Sequence, residues 1–240
     1  MPSLFDLSGR VAVVVGGTSG IGKAIAEGLA AHGAVTVAAG RTSASHPVDV
    51  HDRDSIDTLR DRVLAEHGRV DILVNAAGVT LKKPTLEMHE PEWHDLFDTN
   101  VTGALRACQS FHEPLSASAR GRVINIASLG SLLAFHHVAA YCASKSAVLS
   151  LTRSLGCEWA ADGIRVNAIV PGVFPTELNR KLIEGTARGS EILMRTPMAR
   201  FGNPEELVGA AVLLASDGAS FITGQSIAVD GGYLASGVNQ

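Results

Sequence analysis

The stretch VVVGGTSGIGKAIAEGLAAHG, residues 13–33, joins three kinds of sequence in a row. It starts as a β-branched apolar run. It then passes through four glycines in seven residues and continues with apolar residues at helical spacing. Strand, tight turn and helix in that order open a doubly wound α/β fold. Gly16 lets the chain turn sharply off the strand, Gly20 lets backbone approach a ligand, and Gly22 lets the helix pack closely on the sheet. Thr18, Ser19 and Ile21 complete the turn. The helix start then offers free N–H groups and a positive dipole to a pyrophosphate. An ordinary glycine turn is the alternative, but a turn placed after a first strand and before a helix favours a dinucleotide site. The spacing is GxxxGxG.

Outward from this unit, short apolar runs alternate with helical patterns. Strands are expected at 11–15, 35–39, 48–50, 72–75, 122–126, 165–169 and 226–229. Helices are expected at 21–32, 56–67, 90–115, 139–161 and 204–215. Most of the strand runs are apolar throughout, as in strands covered on both faces. The expectation is one doubly wound Rossmann domain over 1–240, with a seven-stranded, mostly parallel sheet and helices on both faces. Residues 172–200, broken by Pro175, Pro197, Gly185 and Gly189, read as a substrate lid. Only seven residues separate Arg41 from Asp49, too few for the usual helical crossover, so the helix between the second and third strands should be missing.

Composition narrows the class. The chain has 240 residues, of which 46% are apolar, and a net charge of −4 with no basic block, which argues against nucleic acid and anionic membranes. No leader pattern or spanning run is visible, and a cytoplasmic location is expected. Cys108, Cys142 and Cys157 have no ligand-like spacing, and no metal site is expected.

The chemistry-bearing stretch is AYCASK, residues 140–145. Tyr141 and Lys145 lie four apart and share a helix face. An ammonium beside a phenol favours phenolate and equips the tyrosine for proton exchange. A partly buried tyrosine beside a solvated lysine is the plain alternative. Ser128 tips the balance. It ends a strand at the carboxyl edge, where doubly wound sheets bind ligands.

The pieces GGTSGIG, VDV, NAAG, NVTG, INIAS, YCASK, NAIVPG and SFITGQSIAVDGG occur in order along the chain. In these motifs the chain resembles the short-chain dehydrogenase/reductase family over essentially its full length. The resemblance implies a tetrad. Tyr141 is the acid/base on the substrate oxygen and Ser128 orients that oxygen. Lys145 lowers the tyrosine pKa and holds the nicotinamide ribose, while Asn100 anchors a water linking Lys145 to solvent. It also implies that Asp49 and Val50 lie beside the adenine. Asn75, Ala76, Ala77 and Gly78 line the adenine ribose. Pro171, Gly172, Val173, Phe174 and Thr176 grip the carboxamide end. Val15 and Ala76 replace a Thr and an Asn common in the family, which touches loop rigidity and not the tetrad.

NAD-using relatives carry an acid at the end of the second strand, and here that position is Gly40. Arg41 follows, with Thr42 and Ser43, and suits a 2′-phosphate. NADP(H) is favoured, with NAD(H) as the alternative. Within the family the resemblance is to gluconate 5-dehydrogenases and related sugar-acid or polyol dehydrogenases. The rivals are a 3-oxoacyl thioester reductase and a dinucleotide-binding regulator without turnover. Candidate substrate contacts are Lys82, Lys83, His136 and Arg195, with surface or packing roles as the alternative. A homotetramer is expected from the apolar faces of helices 90–115 and 139–161 and from the small and apolar residues of 226–240.

Overall fold

The computed structural model describes residues 4–177 and 179–237. The expected lid, 172–200, and the C-terminal stretch, 226–240, therefore reach outside the described residues at 178 and 238–240.

Strand β1 (Val11–Val15) is buried at every position. Its side chains divide by parity. Val11, Val13 and Val15 enter one apolar cluster, and Ala12 and Val14 enter another on the opposite face. A strand covered on both faces must sit inside a sheet, and β1 does. It pairs in parallel with β2 (Val35–Ala39) on one side and β3 (Ile72–Asn75) on the other. The sheet continues through β4 (Arg122–Ile126), β5 (Arg165–Pro171) and β6 (Ser226–Val229). All pairs are parallel, in the order β2-β1-β3-β4-β5-β6. Every carboxyl end therefore reaches the same edge, and the chain reverses direction across the sheet between β1 and β3.

Helix α1 (Gly20–Ala31) follows β1, and α2 (Arg53–His67) precedes β3. Asp52 caps α2 by accepting from the Asp54 N–H, and Gly68 ends it at φ 74°. The region expected as one helix over 90–115 is α3 (Glu90–Phe97), a π turn over Asp98–Thr102, and α4 (Gly103–Ala117). Helix α5 (Ala139–Glu158) follows β4. The expected lid carries two short helices, α6 (Arg180–Ile183) and α7 (Ala187–Arg195), and α8 (Val208–Ala215) precedes β6. Phe111 of α4 is fully buried in the cluster with Val13 and Val123, where an apolar side chain of that size contributes about 1.5–3 kcal/mol. Between β3 and β4 the paired residues Asn75 and Asn125 bond side chain to side chain at 2.8 Å, and Asn125 donates onward to Thr152 at 2.9 Å. This polar chain links β3, β4 and α5 in the interior, and only the Asn75 Oδ1 atom in it is left without a partner among the described residues.

The sheet has six strands, and the expected seventh, 48–50, is not a strand. The backbone of this loop folds on itself. The Val48 N–H donates to the Gly40 carbonyl, the Gly40 N–H donates to that of His46, and Ser43 ties the His46 N–H to the Ala38 carbonyl. Residues 41–52 form turns, bends and extended chain, with no helix. Val48 and Val50 are nevertheless buried, in the same cluster as Phe111. Their apolar character reports burial, and burial does not require a strand partner.

Candidate active site

The turn between β1 and α1 is shaped by contacts that leave no room for side chains. Gly16 has φ +84°, and a Cβ there would stand 2.5 Å from the Ala77 nitrogen. A Cβ on Gly22 would collide with the carbonyl oxygen of Gly16. Gly20 has φ +51°. The Gly16 and Gly17 N–H groups both donate to the Ala39 carbonyl, which fixes the turn against the end of β2. Ser19 occupies the N-cap of α1 without capping it, and the first turn holds no acid. The helix start thus presents unpaired N–H groups and positive potential, which fits a bound pyrophosphate.

A cleft of about 520 Å³ opens over this turn at the carboxyl edge of the sheet. Gly16, Thr18, Ser19, Gly20, Ile21 and Gly22 line it on one side, and Arg41, Thr42, Asp49 and Val50 on another. Ala76, Ala77 and Gly78 line the middle. Ser128, Tyr141, Lys145, Pro171, Gly172 and Phe174 line the remainder, and Thr176 lies against Gly20. Thr42 reaches Thr18 at 3.3 Å and joins the two loops. A Cβ on Gly40 would approach the Thr18 hydroxyl to 2.9 Å, so an acidic side chain has no free space there without moving that loop. Ser43, expected beside Arg41 as a further hydroxyl donor, spends its hydroxyl on the Ala38 carbonyl instead.

Two further expected cofactor contacts lie off the cleft wall. The Asn75 side chain is buried between Asn125 and the Cys108 sulfur. Val173 lines a small separate cavity with Phe174, Met198 and Gly231, and its carbonyl accepts from the Gly202 N–H.

At the far end, Tyr141 and Lys145 stand one turn apart on α5, with the ammonium 6.0 Å from the centre of the phenol ring. Lys145 donates to the Ile126 carbonyl at 2.7 Å, which anchors it at the end of β4. Burial pushes the Lys145 ammonium down to about 8. Burial also pushes the Tyr141 phenol above its ordinary value, and the Ser128 hydroxyl works against that rise. The lowering by Lys145 that the pair suggests is not among the effects acting on Tyr141, whose shift is led by desolvation. The Ser128 hydroxyl accepts from the Gly130 N–H at 3.1 Å, which holds its oxygen in place.

Asn100 sits in the π turn between α3 and α4, behind the cleft wall. Its amide donates to the Val79 carbonyl and to Ser144, both at 3.0 Å, and its oxygen accepts from the Val79 N–H at 2.8 Å. A Cβ on Gly78 would lie 3.3 Å from the Asn100 oxygen and 3.4 Å from the Lys145 nitrogen, so the glycine keeps the two polar groups close.

The four expected substrate contacts stand away from the cleft lining. Lys83 is paired with both Glu92 oxygens at 2.8 Å, and that hydrogen bond leads the effects holding the Glu92 carboxyl below its usual range. Lys82 and His136 are exposed. Arg195 lies over the Tyr233 ring at 5.2 Å. The cleft also gathers residues that the motifs do not single out: His51, Asp95, Thr99, Glu177 and Asn179. Available signals were adjacency to Asp49 and Val50 for His51, the four-residue spacing of Asp95 and Thr99 just before Asn100, and proximity to Thr176 for the other two. Asn179 accepts from the Thr176 N–H and donates to the Phe174 carbonyl, pinning the start of the expected lid. Among the described residues no group of three His, Cys, Asp or Glu side chains could hold a metal, and no helix is long and apolar enough to cross a membrane.

Residues 15–234 match the family described as Enoyl-(Acyl carrier protein) reductase, a short-chain dehydrogenase family. The gluconate 5-dehydrogenase of Gluconobacter oxydans is 37% identical over 252 residues, covering 98% of each chain. The 2-dehydro-3-deoxy-D-gluconate 5-dehydrogenase of Escherichia coli is 39% identical over 249, covering 97% of this chain and 98% of the relative. A gluconate 5-dehydrogenase from Burkholderia cenocepacia, solved with NADP and tartrate, superposes with a TM-score of 0.93 at 36% identity and covers 97% of this chain and 98% of its own. With a full-length family match and relatives well above 30% identity, the chain belongs to the short-chain dehydrogenase/reductase family.

Proposed function

We propose that the protein interconverts a secondary alcohol and a ketone on a sugar acid or polyol, using NADP(H) in preference to NAD(H). The observation that carries this reading is the convergence of Ser128, Tyr141 and Lys145 at one end of a cleft whose other end is the glycine turn. When bound there, the nicotinamide supplies the hydride acceptor or donor. Ser128 orients the substrate oxygen, and Tyr141 takes or returns its proton. Lys145 holds the nicotinamide ribose and favours phenolate as the proton leaves. Asn100, fixed by Val79 and Ser144, connects Lys145 to solvent through a water. Arg41, with Thr42, meets the 2′-phosphate, and Gly40 brings no carboxylate against it.

The sugar-acid assignment is supported by the names of the relatives, among them gluconate 5-dehydrogenase and 5-keto-D-gluconate 5-reductase. A second reading is reduction of a 3-oxoacyl thioester; the matched family's description, Enoyl-(Acyl carrier protein) reductase, supports a thioester substrate, though it names the enoyl and not the 3-oxo group. A panel of sugar acids, polyols and acetoacetyl thioesters, run with both cofactors, separates the two. Activity confined to thioesters would overturn the sugar-acid reading. Residues 172–200 act as the lid over the substrate, and an acid substrate's carboxylate meets Lys82 at the mouth, with Lys83 already engaged by Glu92. His136 and Arg195 flank the same mouth. Loss of all acid selectivity in the panel would remove the Lys82 contact.

Replacing Tyr141 with Phe should lower kcat by about 10²–10⁴-fold while cofactor binding persists, since only the proton transfer is lost. Near-normal turnover would refute the mechanism. Arg41→Ala should raise KM for NADPH at least ~tenfold and leave NADH little changed, as loss of a charged hydrogen bond implies. Initial rates with both cofactors decide it. The homotetramer is supported by exposed apolar side chains such as Phe221, Leu86 and Leu132. Sedimentation at micromolar protein should find four chains, and a stable 25.0 kDa species would contradict it.

Lys145 gives a stability prediction. Its folded value, about 8, lies below the ordinary 10.5, so the unfolded chain binds more protons between those values. Stability should therefore rise with pH across that window. The destabilisation relieved is at most about 3 kcal/mol. Lys145→Met should flatten this rise in urea melts from pH 7 to 10 while abolishing turnover. An unchanged pH profile in the variant would show that another group titrates.

A further inference from the structure

Gly202 follows the expected lid, and its backbone does not call for a glycine. It is not among the residues with positive φ, so φ sets no obstacle to a side chain there. What excludes one is Phe174. A Cβ on Gly202 would stand within 2.7 Å of three carbons of the Phe174 ring, where carbons in contact keep about 3.5–4.0 Å. The two backbones are fixed against each other. The Gly202 N–H donates to the Val173 carbonyl at 3.0 Å, and Asn179 donates to the Phe174 carbonyl at 2.9 Å. Two hydrogen bonds from Arg200 to Glu206, at 2.8 and 2.6 Å, span the glycine, and the Asn203 N–H donates to the same carboxylate. The Phe174 side chain is buried and packs in the cluster with Leu207 and Val212. Neither partner can therefore retreat freely, and a methyl at 202 has to displace the ring.

The direction of that displacement follows from what the ring borders. Phe174 lines the cleft that holds Ser128, Tyr141 and Lys145, and it also lines the small cavity of about 100 Å³. Gly172 is the other residue common to the two and has no side chain, so the Phe174 ring is the side chain they share. Gly202 borders the cavity and not the cleft. A methyl there meets the ring from the cavity side, and the open space left to the ring is the cleft. We propose that Gly202 is a positioning residue for the cofactor: its bare backbone seats the Phe174 ring back from the cleft and keeps room for the nicotinamide end of the dinucleotide. The proposal rests on the dinucleotide reading of the cleft. The nicotinamide end at Phe174 follows from family resemblance, whereas the role of Gly202 follows from its contact with the ring.

The test uses the full chain and two ligands, NADPH and 2′-phospho-ADP-ribose, which lacks the nicotinamide. Both are titrated calorimetrically against wild type, Gly202→Ala, Phe174→Leu and the double variant. Gly202→Ala should weaken NADPH at least ~tenfold and leave the fragment within about twofold of wild type. In the double variant the shorter side chain clears the methyl, so NADPH affinity should return to within about threefold of Phe174→Leu alone. A glycine needed only for the fold would weaken both ligands alike and would not be rescued by a change at Phe174. Equal weakening of both ligands, unchanged NADPH affinity in Gly202→Ala, or no recovery in the double variant overturns the positioning role alone. If Gly202→Ala does not fold, a double variant that folds supports the clash with the ring, and a double variant that also fails to fold overturns it. Failure of wild type to bind NADPH overturns the dinucleotide reading and the inference with it.

Discussion

The site depends on one contact between backbones. The start of α1 lies against the carbonyl of Gly16, so near that Gly22 cannot carry a side chain, and Gly16 in turn lies against the Ala76–Ala77 peptide. Both ends of the glycine turn and the distant segment after β3 meet there, with no side chain larger than the Ala76 methyl between them. The contact sets where α1 begins, aims its unpaired N–H groups into the cleft and brings the residues after β3 within reach of the same ligand. A methyl group at either glycine would push the helix from the strand and close the space that a pyrophosphate needs.

The far end of the cleft works by desolvation. Lys145 and Tyr141 are placed where burial disfavours both charged forms, and the polar groups that hold them face inward from β4, α5 and the π turn. Such an arrangement reduces the stability of the free protein, and strongly shifted groups in a cleft mark a candidate functional site. A π turn in an otherwise α-helical segment is often found at functional sites, and here it directs Asn100 toward Val79 and Ser144.

The loop after β2 departs from the expected seven-stranded pattern. Without a strand over 48–50, the chain between β2 and α2 is a self-bonded loop. It still buries Val48 and Val50 against α4 and still presents Asp49 and His51 to the cleft. Val48 and Val50 thereby join the core while Asp49 and His51 line the cleft.

By itself the sequence determined the parallel α/β architecture and the glycine turn at the carboxyl edge of the sheet. The reason is that apolar period, glycine position and strand-end location are local properties, and each leaves a readable mark in VVVGGTSGIG, INIAS and YCASK. The position of Ser128, Tyr141 and Lys145 on one wall was legible for the same reason, since a strand end and a four-residue helical step fix their placement. Only the tertiary structure decided that 48–50 is loop, because buried valines look alike whether their backbone bonds go to a strand or to Gly40. Only it showed Lys83 tied to Glu92, Asn75 turned toward Asn125, and Thr99 of the helical segment directing the ring of His51. The partners stand between 9 and 50 residues apart, and no spacing rule encodes which partner a polar side chain finds once the layers close.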